Sequence, residues 1–395
     1  VEKSLRGIHG ISGACVFLFG LILAATYFRS LWTLDADGIS MLNQKLPYWD
    51  FSNLWAGGHL AGEGRVHTLF DVEAYRAALR QLFTPVLQDQ EWSYPPSLLL
   101  LGVPLGWLPV LPAYVLWTAG TLLLLYLALR PFRFPLPVTL AVILSPAAMI
   151  NVLLGQNGAL TAALLLGGLW ALGKKPWIAG LFFGILTIKP HLGFLIPVVL
   201  LAGGHWRAIA AAVLTTLVLV AVTGLLFGWQ VWFDFRTVTL PLMAGIMEAP
   251  YPQPYHANAM TVFIMARWLD ASVGVAQAIQ IIAGLVAAGA AFWLWRPAMQ
   301  IDPARRIVLT AMLVIFATPY GYSYDAVALA PAVAWGFLHE RRIPLIVHAI
   351  VWLFPLFVHV INLQGIGASV MVPLAYTAWH FRLVWQDTRQ AWVRA

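Results

Sequence analysis

Charge is what this sequence has least of. Only 10% of its residues are Asp, Glu, Lys or Arg, against about 25% in a soluble globular chain, and no polar stretch is long enough to build a separate soluble domain. A single cysteine, Cys15, stands in 395 residues, so no intrachain disulfide can form. HxxxH and CxxC spacings are missing, Asp35-Ala36-Asp37 is the lone DxD, and a metal site needs clustered ligands. No obligatory protein-bound metal and no cofactor are therefore expected. No basic run with interleaved aromatics points to nucleic acid. No internal repeat is visible either, so the inverted halves of many secondary transporters are not seen.

What is present is apolar. The chain is 61% hydrophobic with a mean hydropathy of +0.80, and continuous apolar runs recur from Ile8 to Leu383. Continuous runs, unlike period-two alternation, argue against a β-barrel. They predict an all-α polytopic membrane protein surrounded by membrane lipids. Lys3 and Arg6 precede an apolar run, Ile8 to Trp32, that is longer than a signal-peptide core and has no convincing cleavage site. It reads as a retained helix entering from the cytoplasm.

Parity decides the rest of the topology. The run from Ser97 to Leu129 is broken by Pro104, Pro109 and Pro112 and could cross once or twice. One crossing places fifteen of twenty-three Lys/Arg and four of sixteen Asp/Glu on the cytoplasmic side, as positive residues prefer. Two crossings would invert every later loop. The expectation is a single domain over 1–395 with about twelve transmembrane helices and both termini cytoplasmic. A large first extracytoplasmic loop would span 34–96 and a second 228–270. In a bacterial inner membrane the polar site would face the periplasm. Within the first loop, Asn53 to Leu60 and Asp71 to Phe83 read as short amphipathic helices lying along the membrane surface.

The candidates for chemistry gather on that outer side. Eight of the sixteen acids fall between Asp35 and Glu91. Among them Asp50, in Pro47-Tyr48-Trp49-Asp50-Phe51-Ser52-Asn53, has aromatic neighbours that would desolvate it and make it a better proton acceptor near neutrality. Lys189, between two apolar segments in Ile188-Lys189-Pro190, either snorkels from a helix end or holds a phosphate as a point charge. Asp325 opens a membrane helix and reads equally as a cap for it or as a substrate ligand. Gln156 and Asn157, in Gly155-Gln156-Asn157-Gly158, form either a plain tight turn or amide donors to a sugar. His59, Tyr94, His256 and Asn258 complete the set of substrate-binding candidates.

In order along the chain, these pieces resemble glycosyltransferase family 87, the polyprenol-phosphate-mannose-dependent mannosyltransferase-like membrane enzymes of the GT-C fold. The resembling residues are Asp50-Phe51 with Trp55 to Ala61, Leu69-Phe70-Asp71, Tyr94-Pro95-Pro96, Gly155-Gln156-Asn157-Gly158, Lys189-Pro190, Trp206-Arg207-Ala208 and Thr318 to Asp325. The resemblance implies a GT-C-type bundle and a polyprenyl-phosphate-linked sugar donor, with a hexose such as mannose as the sugar. It also implies a lipid or glycan acceptor and an aspartate base in the first outer loop, where Asp50 stands. Mannosyltransferases of the family carry histidine near Tyr324-Asp325, so that role is not carried over, and Asp325 stays a second candidate base. A transporter or flippase of a lipid-linked or anionic solute is the alternative.

Overall fold

The computed structural model describes residues 2–394 and the side chains of residues 10–390. The charges of Lys3 and Arg6, on which the expected placement of the N-terminus rests, lie outside the described side chains. Among the described residues the regular structure is helical, with two isolated antiparallel bridges, Leu34 to Ser40 and Ala259 to Tyr322.

The order of elements follows the apolar runs. Helix α1 (Glu2–Leu31) leads into an interval holding α2 (Trp49–Gly62) and α3 (Val72–Leu82), and the chain returns through α4 (Leu99–Gly106) and α5 (Val110–Leu129). Next come α6 (Leu136–Ile143) and α7 (Pro146–Leu154), then the short helices α8 (Gly158–Ala171), α9 (Pro176–Ile185) and α10 (Ile196–Ala202). The long α11 (Trp206–Phe227) precedes a second interval with α12 (Gln230–Asp234), α13 (Leu240–Glu248) and α14 (Val262–Trp268). The chain closes with α15 (Val273–Trp295), α16 (Pro303–Val314), α17 (Ala330–His339), α18 (Leu345–Leu353), α19 (Pro355–Leu363) and α20 (Met371–Arg394).

Four helical stretches are long and apolar enough to cross a bilayer: Gly10–Leu31, Val110–Phe132, Trp206–Phe227 and Val273–Trp295. The bent pairs α6/α7 (41°) and α18/α19 (63°) raise the number to six. The protein is thus an all-helical, multi-pass membrane protein. The other crossings of the expected twelve would have to be made by shorter apolar helices. A 14-residue helix such as α8 is about 21 Å long, less than the roughly 30 Å of a hydrocarbon core. Its residues Gly158 to Leu166 are all buried, as befits a helix apolar on every side. The long helices do the reverse. Leu217, Leu225 and Leu226 of α11 and Ile281, Leu285 and Val286 of α15 are exposed, a surface that suits lipid rather than water.

The first interval departs from expectation in one helix. Helix α3 is amphipathic, burying Tyr75, Ala78 and Leu79, and Asp71 caps it by accepting from the Ala74 N–H at 3.0 Å. Helix α2 is not a surface helix, because Phe51 to Gly58 are all buried. The cause is Ala56-Gly57-Gly58. A Cβ on Gly57 would lie 2.2 Å from the Trp92 ring, and one on Gly58 would lie 2.0 Å from the Gly102 carbonyl oxygen of α4. Small residues of this kind let helix backbones touch, so α2 is enclosed between Trp92 and α4. Side-chain bonds fix its start. Asn53 donates to the Glu91 carbonyl at 2.8 Å, Tyr75 donates to Asn53 Oδ1 at 2.5 Å, and Gln90 donates to the Trp49 carbonyl at 2.8 Å.

Because backbone stands where the new methyl would go, Gly58→Ala must push α2 off α4. Overpacking of this kind typically costs about 1–3 kcal/mol. Thermal melting in detergent should show a clear loss for Gly58→Ala and little change for Gly245→Ala, where a Cβ meets nothing within 4 Å.

Candidate active site

Most acids of the first interval are already committed. Asp35 accepts from the backbone N–H groups of Asp37 and Ile39, both at 2.9 Å, and Asp71 caps α3. Glu63 faces His59 at 3.2 Å and Arg65 at 3.3 Å. Glu73 meets Arg76 at 2.9 Å, Glu91 also pairs with Arg76, and Asp89 pairs with Arg80. Asp37 is exposed. Asp50 remains, half-buried in the first turn of α2 and in no ion pair among the described residues.

The turn after α7 reaches Asp50 because two glycines allow it. Gly155 ends α7 with φ +67°, the left-handed conformation that favours glycine at a helix C-terminus, and a Cβ there would lie 2.3 Å from Phe51 Cβ. A Cβ on Gly158 would lie 2.0 Å from the Tyr324 carbonyl oxygen. The turn is therefore pressed between the residue after Asp50 and the residue before Asp325. The Gln156 side chain lies within hydrogen-bonding reach of Asp50, and its Nε2 donates to the Tyr94 hydroxyl at 3.5 Å. Asn157 is buried beside it, and its side-chain oxygen accepts no hydrogen bond.

Burial pushes the Asp50 carboxyl up to about 6, while Gln156, Lys45 and Lys189 pull it down and Asp325 pushes it up. Lys45 is half-buried, with its ammonium 4.8 Å from the Trp49 ring centre, and forms no ion pair among the described residues. Burial also lifts the Tyr94 and Tyr324 hydroxyls well above the usual phenol range, so both stay protonated.

Lys189 does not snorkel. It is 6% exposed, and its ammonium donates to Asp325 Oδ1 at 2.5 Å, with the Tyr324 ring centre 4.9 Å away. Pro190 stops the preceding helical turn at Lys189, which leaves the side chain free to turn into the bundle. The other carboxyl oxygen of Asp325 accepts from the Tyr322 backbone N–H at 3.1 Å. Asp325 thus caps its own helix, one of the two readings its sequence position left open, and is in addition the counter-ion of Lys189.

The second interval is joined to this group by main chain. Met260 N–H donates to the Gly321 carbonyl at 2.8 Å. Beside that link Ser323 Oγ donates to Asn258 Oδ1 at 3.4 Å, and His359 Nδ1 lies 3.3 Å from the same oxygen. Residues from widely separated segments so meet at one end of the bundle.

Comparison with known proteins now decides the family. The profile of glycosyltransferase family 87 matches residues 92–319, more than half of the chain. The chain belongs to that family. It is also similar to α-(1→3)-arabinofuranosyltransferases of two Mycobacterium tuberculosis strains, CDC 1551 / Oshkosh and ATCC 25618 / H37Rv. Each is 34% identical over 176 residues, covering 40% of this chain and 40% of the relative. No solved structure matches the chain. The family 87 match includes Tyr94, Gln156, Lys189 and Asn258, whereas Asp50 and Asp325 lie outside it.

Among the residues expected at the site, Asp50, Tyr94, Gln156, Asn157, Lys189, Asn258 and Asp325 come together. Two do not. His59 stands nine positions after Asp50, two and a half helical turns, and so points from the opposite side of α2, where it bonds the Gly106 carbonyl at 3.0 Å and stacks on Trp55. His256 sits 3.0 Å from the Met247 carbonyl and stacks on Tyr251, holding its own loop together. Lys45 and His359 were not singled out from the sequence of this family 87 chain. An ionisable residue within the apolar Val358-His359-Val360 was the available signal for the second.

Removing one partner of a buried ion pair costs roughly 3–5 kcal/mol, because the other charge is left unpaired. Lys189→Met and Asp325→Leu should each lower thermal stability sharply. The double variant Lys189→Met/Asp325→Leu should recover most of the loss. Full additivity of the two single losses would mean that the side chains do not pair.

Proposed function

We propose that the protein is an inverting glycosyltransferase that moves a sugar from a polyprenyl-phosphate donor to a hydroxyl of a lipid or glycan acceptor on the extracytoplasmic face. Membership of family 87 supports glycosyl transfer. The observation that carries the mechanism is Asp50, the one acid of the first interval that is half-buried without an ion pair among the described residues. With its acidity near 6, it is largely ionised at neutral pH yet holds a proton better than an exposed carboxylate does. Asp325 is the weaker choice for a base, since Lys189 and the Tyr322 amide occupy its two oxygens.

Asp50 takes the proton from the acceptor hydroxyl as that oxygen attacks the anomeric carbon. The bond from the anomeric carbon to the phosphate oxygen breaks on the other face, and the electron pair leaves with polyprenyl phosphate. Negative charge grows on that phosphate in the transition state, where a fixed cation helps most. Lys45, free of carboxylates, is the cation best placed to receive it, with Lys189 behind it as the counter-charge that steadies Asp325. Gln156 orients the Asp50 carboxylate and, with Tyr94 and Asn258, offers polar contacts for the sugar.

The curated relatives are named for arabinofuranosyl transfer, whereas the family resemblance implies a hexose. Polyprenyl-phosphate mannose is therefore the first donor to offer and polyprenyl-phosphate arabinofuranose the second. Release of polyprenyl phosphate from either supports the enzyme, while flux across vesicles without bond cleavage would favour a transporter.

Asp50→Asn keeps the shape of the side chain but cannot accept the proton. It should lower single-turnover rate by about 10²–10⁴-fold while donor binding persists, and unchanged turnover would exclude Asp50 as the base. The pH profile follows with a definite sign. A base must be ionised, so kcat/KM should fall as pH drops through about 6 and level off above it. Asp50→Asn should lose that acid limb.

A further inference from the structure

Helices α5 and α8 run away from the Asp50 group, and at their far ends the chain opens into a second feature. Helix α8 begins beside Gln156 and delivers Lys174 and Lys175 about 20 Å further on. Helix α5, which packs Tyr114 against Phe51, ends just before Arg133. These three cations line a cavity of about 1550 Å³, together with the start of α16 and the end of α17. That exceeds the roughly 300–1,000 Å³ of a pocket for a drug-sized ligand.

We propose that this cavity binds an anionic glycerophospholipid, with its phosphate among Arg133, Lys174 and Lys175 and its acyl chains along α5 and α8. Charge complementarity is the first argument. Seven Arg and Lys line the cavity against two carboxylates, Asp302 and Glu340. Glu340 is already held by Arg305 and Arg342, whereas Arg133, Lys174 and Lys175 are exposed and in no ion pair among the described residues. The Nε–H groups of Arg305 and Arg306, also in the lining, are buried and donate to nothing among the described residues.

The wall is the second argument. Leu124 and Leu127 line the cavity and are also 46% and 47% exposed on a membrane-spanning helix, so the cavity opens sideways toward the bilayer. Leu160, Ala163 and Leu164 of α8 form its apolar back. Positive residues in cytoplasmic loops need no ligand to explain them. That tendency alone does not gather loops from several parts of the chain around one cavity with a hydrocarbon wall. Basic pockets between membrane helices on that side suit lipid headgroups, and a pocket open to the leaflet takes the phosphate lipid supplied there in bulk.

Full-length protein purified in neutral detergent would be melted with phosphatidylglycerol, phosphatidylcholine, polyprenyl phosphate or inorganic pyrophosphate, and retained lipid counted by native mass spectrometry. Phosphatidylglycerol should raise the melting temperature and remain bound, and phosphatidylcholine should do neither. The exposed variant Arg133→Gln/Lys174→Gln/Lys175→Gln should melt like wild type without lipid and bind phosphatidylglycerol at least tenfold more weakly. Leu124→Trp, which narrows the wall, should weaken the lipid and leave any pyrophosphate effect untouched. Equal lipid binding by the triple variant would overturn the proposal. So would protection by pyrophosphate as strong as that by lipid, or protection by polyprenyl phosphate alone.

Discussion

The polar end of this molecule depends on how closely one turn can approach its neighbours. Gly155 and Gly158 flank Gln156 and Asn157, and each stands where a side chain would strike another part of the chain, Phe51 in one case and the Tyr324 backbone in the other. The candidate site residues are arranged across that contact. Asp50 lies one residue from the first point of touch, and Asp325 lies one residue from the second. A bulkier turn would hold the Gln156 amide away from Asp50.

A second constraint is electrostatic. Bringing Lys189 and Asp325 out of water is costly unless they neutralise one another and their remaining capacity is satisfied. The Tyr322 amide and the Tyr324 ring supply that satisfaction. The pair is neutral as a unit, which leaves Lys45 and Asp50 as nearby charges in no ion pair among the described residues. Surface pairs such as Arg80 with Asp89 shape the first interval but contribute little energy.

The sequence made some of this legible and hid the rest for identifiable reasons. Ionisable residues inside apolar runs stand out, so Lys189 and Asp325 could be named, though nothing in linear order says that residues 136 positions apart are partners. Asp50 could be singled out by its aromatic neighbours. That it forms no ion pair among the described residues, while the arginines of α3 occupy Glu73, Asp89 and Glu91, appears only in the structure. Helix α2 reads as a surface helix in linear order, and its burial appears only once Trp92 and α4 close on Gly57 and Gly58. His59 shared a helix with Asp50, and its distance from the site is a matter of helical phase. The number of crossings rests on charge alternation, because several apolar helices are shorter than a bilayer is thick.

That shortness has a consequence for access. Helices α8, α9 and α10 have 14, 10 and 7 residues, about 21, 15 and 10 Å of helix, and α8 and α9 pack directly against one another. A bundle whose short helices stop short of full membrane thickness can carry its polar end below the level of the surrounding headgroups. On the proposed reading, a lipid-borne phosphate would reach that end by moving sideways at its own depth, with its tail still in hydrocarbon. A glycan acceptor would descend from the aqueous side, so the two proposed substrates would approach along perpendicular routes and need not exchange places.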